Sequence, residues 1–145
     1  MKIVIQRVSE SSVMIETNIV GKIGKGLLIL CGFEPFDTSE TLQRMLHKCL
    51  HYRIFSDAQG KMNLSLKDIQ GGLLLVPQFT LLADTDKGLR PGFSNGASPL
   101  LGQTLFNELM ALARQHHPFV EQGHFGQDMQ VRLCNDGPVT FILKF

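Results

Sequence analysis

The chain has no tryptophan, one tyrosine and three cysteines among its 145 residues. Cys31, Cys49 and Cys134 are an odd number without C-x-x-C spacing, each among apolar neighbours. This excludes a disulfide scaffold and leads us to expect buried free thiols in a reducing compartment. Charge of either sign is also scarce in excess: 14 Lys and Arg stand against 13 Asp and Glu, a formal net charge of +1. No global field advertises a nucleic-acid partner, so any RNA contact must rest on local patches and shape. Long hydrophobic runs are missing as well. The apolar stretch Ile3-Val4-Ile5 gives way to Gln6-Arg7, which fits neither the core of a signal peptide nor a membrane span and makes the cytoplasm the expected location.

Several catalytic motifs are absent too. There is no G-x-S-x-G elbow, no phosphate-binding glycine loop followed by lysine, no dinucleotide fingerprint and no aromatic series of an RNA-recognition module. His47 and His51 have the four-residue spacing of a metal pair, but the Glu of H-E-x-x-H and a third ligand are missing, so they read as a surface or helix-packing pair. His116-His117 suits a helix C-terminus, where imidazolium complements the dipole, and His124 suits an exposed glycine-flanked loop. Asp84 and Asp86 read as turn formers rather than a catalytic carboxylate pair.

What is present is an ordinary globular composition, 43% hydrophobic and 19% charged, in a length that suits one domain spanning residues 1–145. Val- and Ile-rich segments predict strands at Lys2–Ser9 and Ser12–Thr17, separated by polar residues, then at Ile19–Ile23 and Leu27–Gly32. The run Leu27-Leu28-Ile29-Leu30-Cys31 is apolar throughout, which predicts a central strand covered on both faces. Leu42, Met45, Leu46, Cys49 and Leu50 recur at helical spacing behind a Thr38 or Ser39 cap. Leu73–Val76 predicts a second buried strand, and polar, glycine-containing Ala83–Pro99 a long functional loop. Leu101, Leu105, Leu109 and Leu112 predict a second amphipathic helix ending by His117, before Pro118. Phe119–Gln122, Met129–Cys134 and Val139–Phe145 complete a strand-rich domain with two helices over one face.

Two segments break local rules. In Val76-Pro77-Gln78-Phe79-Thr80-Leu81 a buried strand meets a proline, which removes a ladder donor and predicts a strand end or edge. The amides of Phe79 and Thr80, with the Gln78 carboxamide and Thr80 hydroxyl, would then be available as oxyanion donors; a capped strand terminus is the plainer reading. In Asn135-Asp136-Gly137-Pro138-Val139-Thr140 the residue types predict a turn between strands, with a Gly-Pro bond that is open to cis or trans.

Taken together, Gln78-Phe79-Thr80-Leu81 and Asn135-Asp136-Gly137-Pro138-Val139-Thr140-Phe141 resemble the paired signature of the D-aminoacyl-tRNA deacylase family. Further similar segments are Gln6-Arg7-Val8, Tyr52-Arg53-Ile54-Phe55-Ser56-Asp57, Gly60-Lys61-Met62-Asn63, Arg90-Pro91, Phe93-Ser94 and Gly96-Ala97-Ser98-Pro99, so the likeness covers essentially the whole chain. The resemblance implies an α/β fold, a three-layer β/β/α sandwich with a barrel-like sheet and two amphipathic helices. It implies hydrolysis of D-aminoacyl-tRNA, and of mischarged glycyl-tRNA, as translation quality control by a homodimer with cross-subunit active sites.

Carried over by position, Gln78, Phe79 and Thr80 are the catalytic wall. Gly137 and Pro138 form a cis turn that holds the amino group and excludes L side chains in the partner's site. Thr80 has no base placed beside it by sequence and is given a site-shaping role. No metal, cofactor, membrane or further protein partner is expected. Pro77 stands where the family has Ser, a departure shared with an animal-type deacylase acting on L-alanyl-tRNA. Relaxed chirality and a non-catalytic tRNA-binding dimer are therefore the alternatives. Asn95 replaces a common Lys, leaving Lys87 and Arg90 as RNA-phosphate candidates in the long loop.

Overall fold

The computed structural model describes all of residues 1–145. Its first strand, β1 (Lys2–Ile15), runs unbroken through the polar segment expected to divide it. Pairing explains the continuity. Lys2–Val8 is zipped antiparallel to β3 (Gly26–Gly32), Ser11–Ile15 to β2 (Asn18–Ile23), and the whole length to the last strand, β8 (Gln130–Lys144). Ser11 is buried without penalty because its hydroxyl donates to the Arg132 carbonyl at 2.9 Å. Val8 pairs with Asn135 and Glu10 with Cys134, so Ser9 is an extra residue on β1. The bulge reverses the inward phase: Ile3 and Ile5 serve one core, Val13 the other.

Beyond β3 the sheet continues in parallel with β6 (Gly72–Pro77) and β7 (Val120–Gln122), giving the order β2-β1-β3-β6-β7 with β8 on the other side of β1. Curvature brings β2 back against β7. A Cβ on Gly21 would lie 2.6 Å from the Gln122 carbonyl oxygen, so only glycine permits this near-closure. Alternate residues of β3 and β6 serve two cores. Leu27, Ile29, Cys31, Leu73 and Leu75 face the helices, while Leu28, Leu74 and Val76 pack with Val8, Val13 and Ile23 inside the curled sheet. The central strand is thus covered on both faces, as its unbroken apolar run requires.

Helix α1 (Ser39–His51) starts at a Thr38–Thr41 capping box and buries all five periodic residues, from Leu42 to Leu50. Each such side chain contributes about 2 kcal/mol relative to exposure, which holds the helix to the sheet. Next comes a small hairpin of β4 (Phe55–Ser56) and β5 (Met62–Leu64), then α2 (Leu66–Ile69), a single turn capped reciprocally by Ser65 and Asp68. The sequence reading did not include α2, because four residues carry too little periodicity to register. Helix α3 (Pro99–His116) begins with a Ser98 cap and proline in its first turn and buries Leu105, Phe106, Leu109, Met110 and Ala113. No helix is long and apolar enough to cross a membrane.

Two strands with a turn between them were expected at the C-terminus. The structure instead has one, β8, and Asn135–Thr140 is an arch within it. Gln6 pairs with Thr140 and Val8 with Asn135, so two steps along β1 match five along β8. Turn residues do bend the chain here, but strong pairing on either side keeps the strand whole. The thiols also divide. Cys31 and Cys49 are buried, and burial pushes the Cys49 thiol up to about 12, whereas Cys134 is exposed on β8, contrary to the expectation for all three.

Candidate active site

Strand β6 ends at Pro77 for a reason visible in its ladders. The Leu73 amide turns toward β7, donating to Phe119, whereas the Gln78 amide donates to Cys31 of β3 at 2.7 Å. Pro77 shares the direction of Leu73, and β7 pairs only as far as Leu75, so its missing N–H costs no ladder bond. The chain then enters a 3-10 turn, Phe79–Leu82, without a side-chain cap at Gln78. Its first bond runs from the Leu81 amide to the Gln78 carbonyl at 3.3 Å, leaving the Phe79 and Thr80 amides without intrahelical partners.

Beside this strand end lies a cavity of about 630 Å³, walled by Val76, Gln78, Phe79, Phe93, Phe125 and Met129, among others. Phe79 is 62% exposed and meets Phe93 edge to face at 5.1 Å, so two aromatic rings stand at solvent with little packed over them. The Gln78 carboxamide donates to the Thr80 hydroxyl at 2.5 Å. That contact holds the two side chains together. It supplies Thr80 with a donor rather than a base, and no His, Lys or carboxylate contact to the hydroxyl is present.

The other segment is held far more firmly. The Gly137-Pro138 bond is cis and Gly137 has φ +133°. An added Cβ there would meet Val139 Cγ2 at 2.7 Å and Arg7 Nη2 at 2.9 Å. Arg7, almost wholly buried, donates from Nε to the Asp136 carbonyl at 2.9 Å and from Nη1 to the Ile54 carbonyl at 2.7 Å. Its Nε also lies 3.4 Å from the Asp136 carboxylate. Asn135 clasps the arch from within, accepting the Val139 amide at 2.9 Å and donating to the Thr140 hydroxyl at 2.8 Å. Thr140 also accepts from Gln6.

Sequence reasoning included Gln6-Arg7-Val8 only as a similar segment and assigned Arg7 no role. A signal was there: Arg7 continues the inward alternation of Ile3 and Ile5, and a charge in a buried phase needs partners.

The structure brings Gln78, Phe79 and Thr80 together, and Gly137 and Pro138 together, but not the two sets. Pro77 pairs with Cys31, four positions along from the Leu27–Leu73 level that faces Arg7, and three strand spacings separate β8 from β6. No residue of Asn135–Thr140 lines the cavity beside Phe79, although Val131, earlier on β8, does. The remaining candidates have local explanations. His47 and His51 stack at 4.4 Å with no third ligand, and no cluster of three metal-ligating side chains exists. His117 is buried against the Gly71 carbonyl, Asp84 accepts the Asp86 amide in a turn, and Lys87 and Arg90 lie on the exposed loop.

The sequence and the fold both have counterparts among known proteins. The profile of a family described as D-Tyr-tRNA(Tyr) deacylase matches residues 4–144. A protein named D-aminoacyl-tRNA deacylase from Legionella pneumophila (strain Corby) is 65% identical over 142 residues, covering 98% of each chain. Another of that name, from Azotobacter vinelandii, is 58% identical over 144 residues, 99% of each. Among solved structures, one described as c-Myc DNA Unwinding Element Binding Protein superposes with a TM-score of 0.95 at 35% identity, covering 100% of this chain and 99% of that one. A probable eukaryotic D-amino acid tRNA deacylase, at 18% identity and a TM-score of 0.86 over 98% and 97% of the two chains, shares the fold.

Proposed function

The chain belongs to the D-Tyr-tRNA(Tyr) deacylase family, and from that premise we propose that it hydrolyses the ester between a D-amino acid and the 3′ end of tRNA, as a homodimer in the cytoplasm. Residues 1–145 act as one unit in this reading, and the range of substrates extends to mischarged glycyl-tRNA. The observation that carries it is the pair of uncapped amides at Phe79 and Thr80, placed where β6 ends beside an aromatic-walled cavity.

Water attacks the ester carbonyl carbon, the amides take up the charge that develops on its oxygen, and the carbon–oxygen bond to the 3′ ribose breaks as that oxygen gains a proton. The neighbouring ribose 2′-hydroxyl assists. An aminoacyl ester is labile, so positioning and oxyanion stabilisation carry the reaction without a strong base. Phe79, Phe93 and Phe125 offer faces on which a terminal base stacks. Gln78 and Thr80 shape the wall, locked together by their hydrogen bond.

Gly137 and Pro138 supply selection from the partner subunit. Two features support this assignment. Within one chain no residue of the arch lines the cavity. And β8 presents an unpaired outer edge, with Leu133 and Ile142 exposed, that a second copy would cover. Carbonyls of the arch then read the amino group and α-carbon shared by all amino acids, and crowding excludes an L side chain.

Pro77 favours the animal-type reading with relaxed chirality only weakly, since its absent amide removes no ladder bond. Purified protein incubated with D-tyrosyl-tRNA and L-tyrosyl-tRNA tests the proposal. Release of D-tyrosine with the L ester left intact is the expected result. A folded dimer that turns over no D-aminoacyl-tRNA overturns it, and equal cleavage of L-alanyl-tRNA selects the second reading.

A further inference from the structure

A second cavity, larger than the one at β6, plays no part in the site above. It is a groove of about 880 Å³ where α1, α2 and the end of α3 meet, and it gathers Arg44, Lys48, Lys67, His47, His51 and His116. Those six are three of the chain's 14 Lys and Arg and three of its five His, and no Asp or Glu side chain lines the groove. The terminal carboxylate of Phe145, which does border it, accepts from the Met1 ammonium at 3.2 Å. In a protein of net charge +1 this segregation makes a local positive field that the whole molecule lacks.

Asp68, on the neighbouring α2, is committed to Ser65, accepting its amide at 2.7 Å and its hydroxyl at 2.6 Å. Arg44, Lys48 and Lys67 form no salt bridge, so their charges remain available. Lys48 is steadied over the Tyr52 ring at 4.7 Å, and His51 Nδ1 is held by the His47 carbonyl at 2.9 Å. From Arg44 to His51 the charged face runs about 10 Å along α1, the axial rise of about three phosphates on one strand of a duplex.

Helix α3 connects this groove to the cavity at β6: Pro99 lines one and His116 the other, about 25 Å apart at 1.5 Å per residue. That distance is roughly seven base pairs of a duplex. We propose that the α1–α2–α3 groove binds the phosphate backbone of the tRNA stem while the aminoacylated 3′ end occupies the cavity at Phe79. The inference rests on the deacylase reading. It adds to it a contact surface remote from the ester, one that sets affinity for whole tRNA without touching the chemistry.

The test compares two substrates, D-tyrosyl-tRNA and the D-tyrosyl ester of adenosine, which is too short to reach the groove. Arg44 and Lys67 are exposed and sit on different helices, so R44E/K67E should fold; K25E/K61E, reversing two exposed charges elsewhere, is the control. We expect R44E/K67E to raise KM for the tRNA about tenfold at physiological salt and to flatten the salt dependence of log KM by about two, with kcat unchanged. Hydrolysis of the adenosine ester should match the unmodified protein, as should the control variant on both substrates.

Unchanged KM for tRNA in R44E/K67E overturns the groove assignment while leaving the deacylase reading intact. Equal loss on the adenosine ester, or an equal effect of K25E/K61E, also overturns it, as does a change in oligomeric state without a change in KM, which would make the groove a protein interface. If the unmodified protein cleaves neither ester, the deacylase reading fails first and takes the groove with it.

Discussion

The strand end at Gln78–Thr80 and the arch at Asn135–Thr140 both break local sequence rules, yet they are built in opposite ways. The first is made by topology: β6 outruns β7, and the amides of Phe79 and Thr80 are left over by the geometry of the turn. Hardly any side chain is needed to place them. The second is made by side chains: a buried guanidinium ties the Asp136 carbonyl to that of Ile54, and an internal carboxamide holds the Val139 amide and the Thr140 hydroxyl. A site that stabilises charge can use whatever amides the fold leaves free, whereas a surface that separates mirror images must be fixed to a fraction of an ångström. Substitutions should therefore be felt strongly in the arch and weakly at the strand end.

The largest effect is expected at Arg7. Replacing it by Ala leaves the Asp136 and Ile54 carbonyls without their donor in a buried place, costing about 3 kcal/mol. Urea denaturation should show the loss, and the D-to-L discrimination ratio should fall more than tenfold as the arch loosens. Wild-type discrimination in a folded R7A protein would show that the arch holds itself. Gly137→Ala comes next. Its φ of +133° is unsuited to an L side chain, and the new methyl presses on Val139 and Arg7, so a cost of about 2 kcal/mol accompanies a loss of substrate binding or selection. Unchanged stability and selectivity together would remove the arch from the proposed site.

Much of this contrast was legible in the sequence. Periodicity gave both long helices, the first with its cap, and the apolar run at Leu27–Cys31 gave a central strand, because burial on one or two faces leaves a repeating mark. Pro77 announced the end of β6. What the sequence withheld were facts of pairing. Ser9–Ser12 looks like a break, but β2, β3 and β8 carry the strand through it. Asn135–Pro138 has the residues of a turn and is an arch in a strand, since composition records bending and not what the flanks pair with. The cis state of Gly137-Pro138 and the grip of Arg7 belong to contacts between residues 129 positions apart. The resemblance to the family supplied the link between the two segments. Local rules alone would have left one as a capped strand end and the other as a turn.

At the strand end the expected response is small. Thr80→Ala removes the acceptor for the Gln78 carboxamide but neither backbone amide, so kcat/KM for D-tyrosyl-tRNA should stay within about threefold, under 1 kcal/mol in the barrier. A loss of several orders of magnitude with the fold intact would restore Thr80 as the nucleophile and reverse the contrast, making the strand end the side-chain-dependent half.

The slightest difference should appear in acid. The hairpin β4–β5 follows Ile54, whose carbonyl receives Arg7, and its turn is ordered by Asp57, which accepts the Lys61 amide at 3.0 Å and the Gln59 amide at 2.9 Å. Those bonds, the Lys61 one first, hold the Asp57 carboxyl below its ordinary value of 3.8. A carboxyl lowered by folding favours the folded state fully above its unfolded value, and the benefit drains as pH falls and is gone below the folded value. Asp57 is only partly buried, so solvent screens the effect and a local readout is needed. Amide exchange at Gln59 and Lys61, corrected for the intrinsic pH dependence, should lose protection as pH is lowered through this range. Phe79 and Thr80, which depend on no carboxylate, should not change. Asp57→Asn should abolish the acid step. An acid response at the strand end equal to that of the hairpin would mean that the two regions are not independently built.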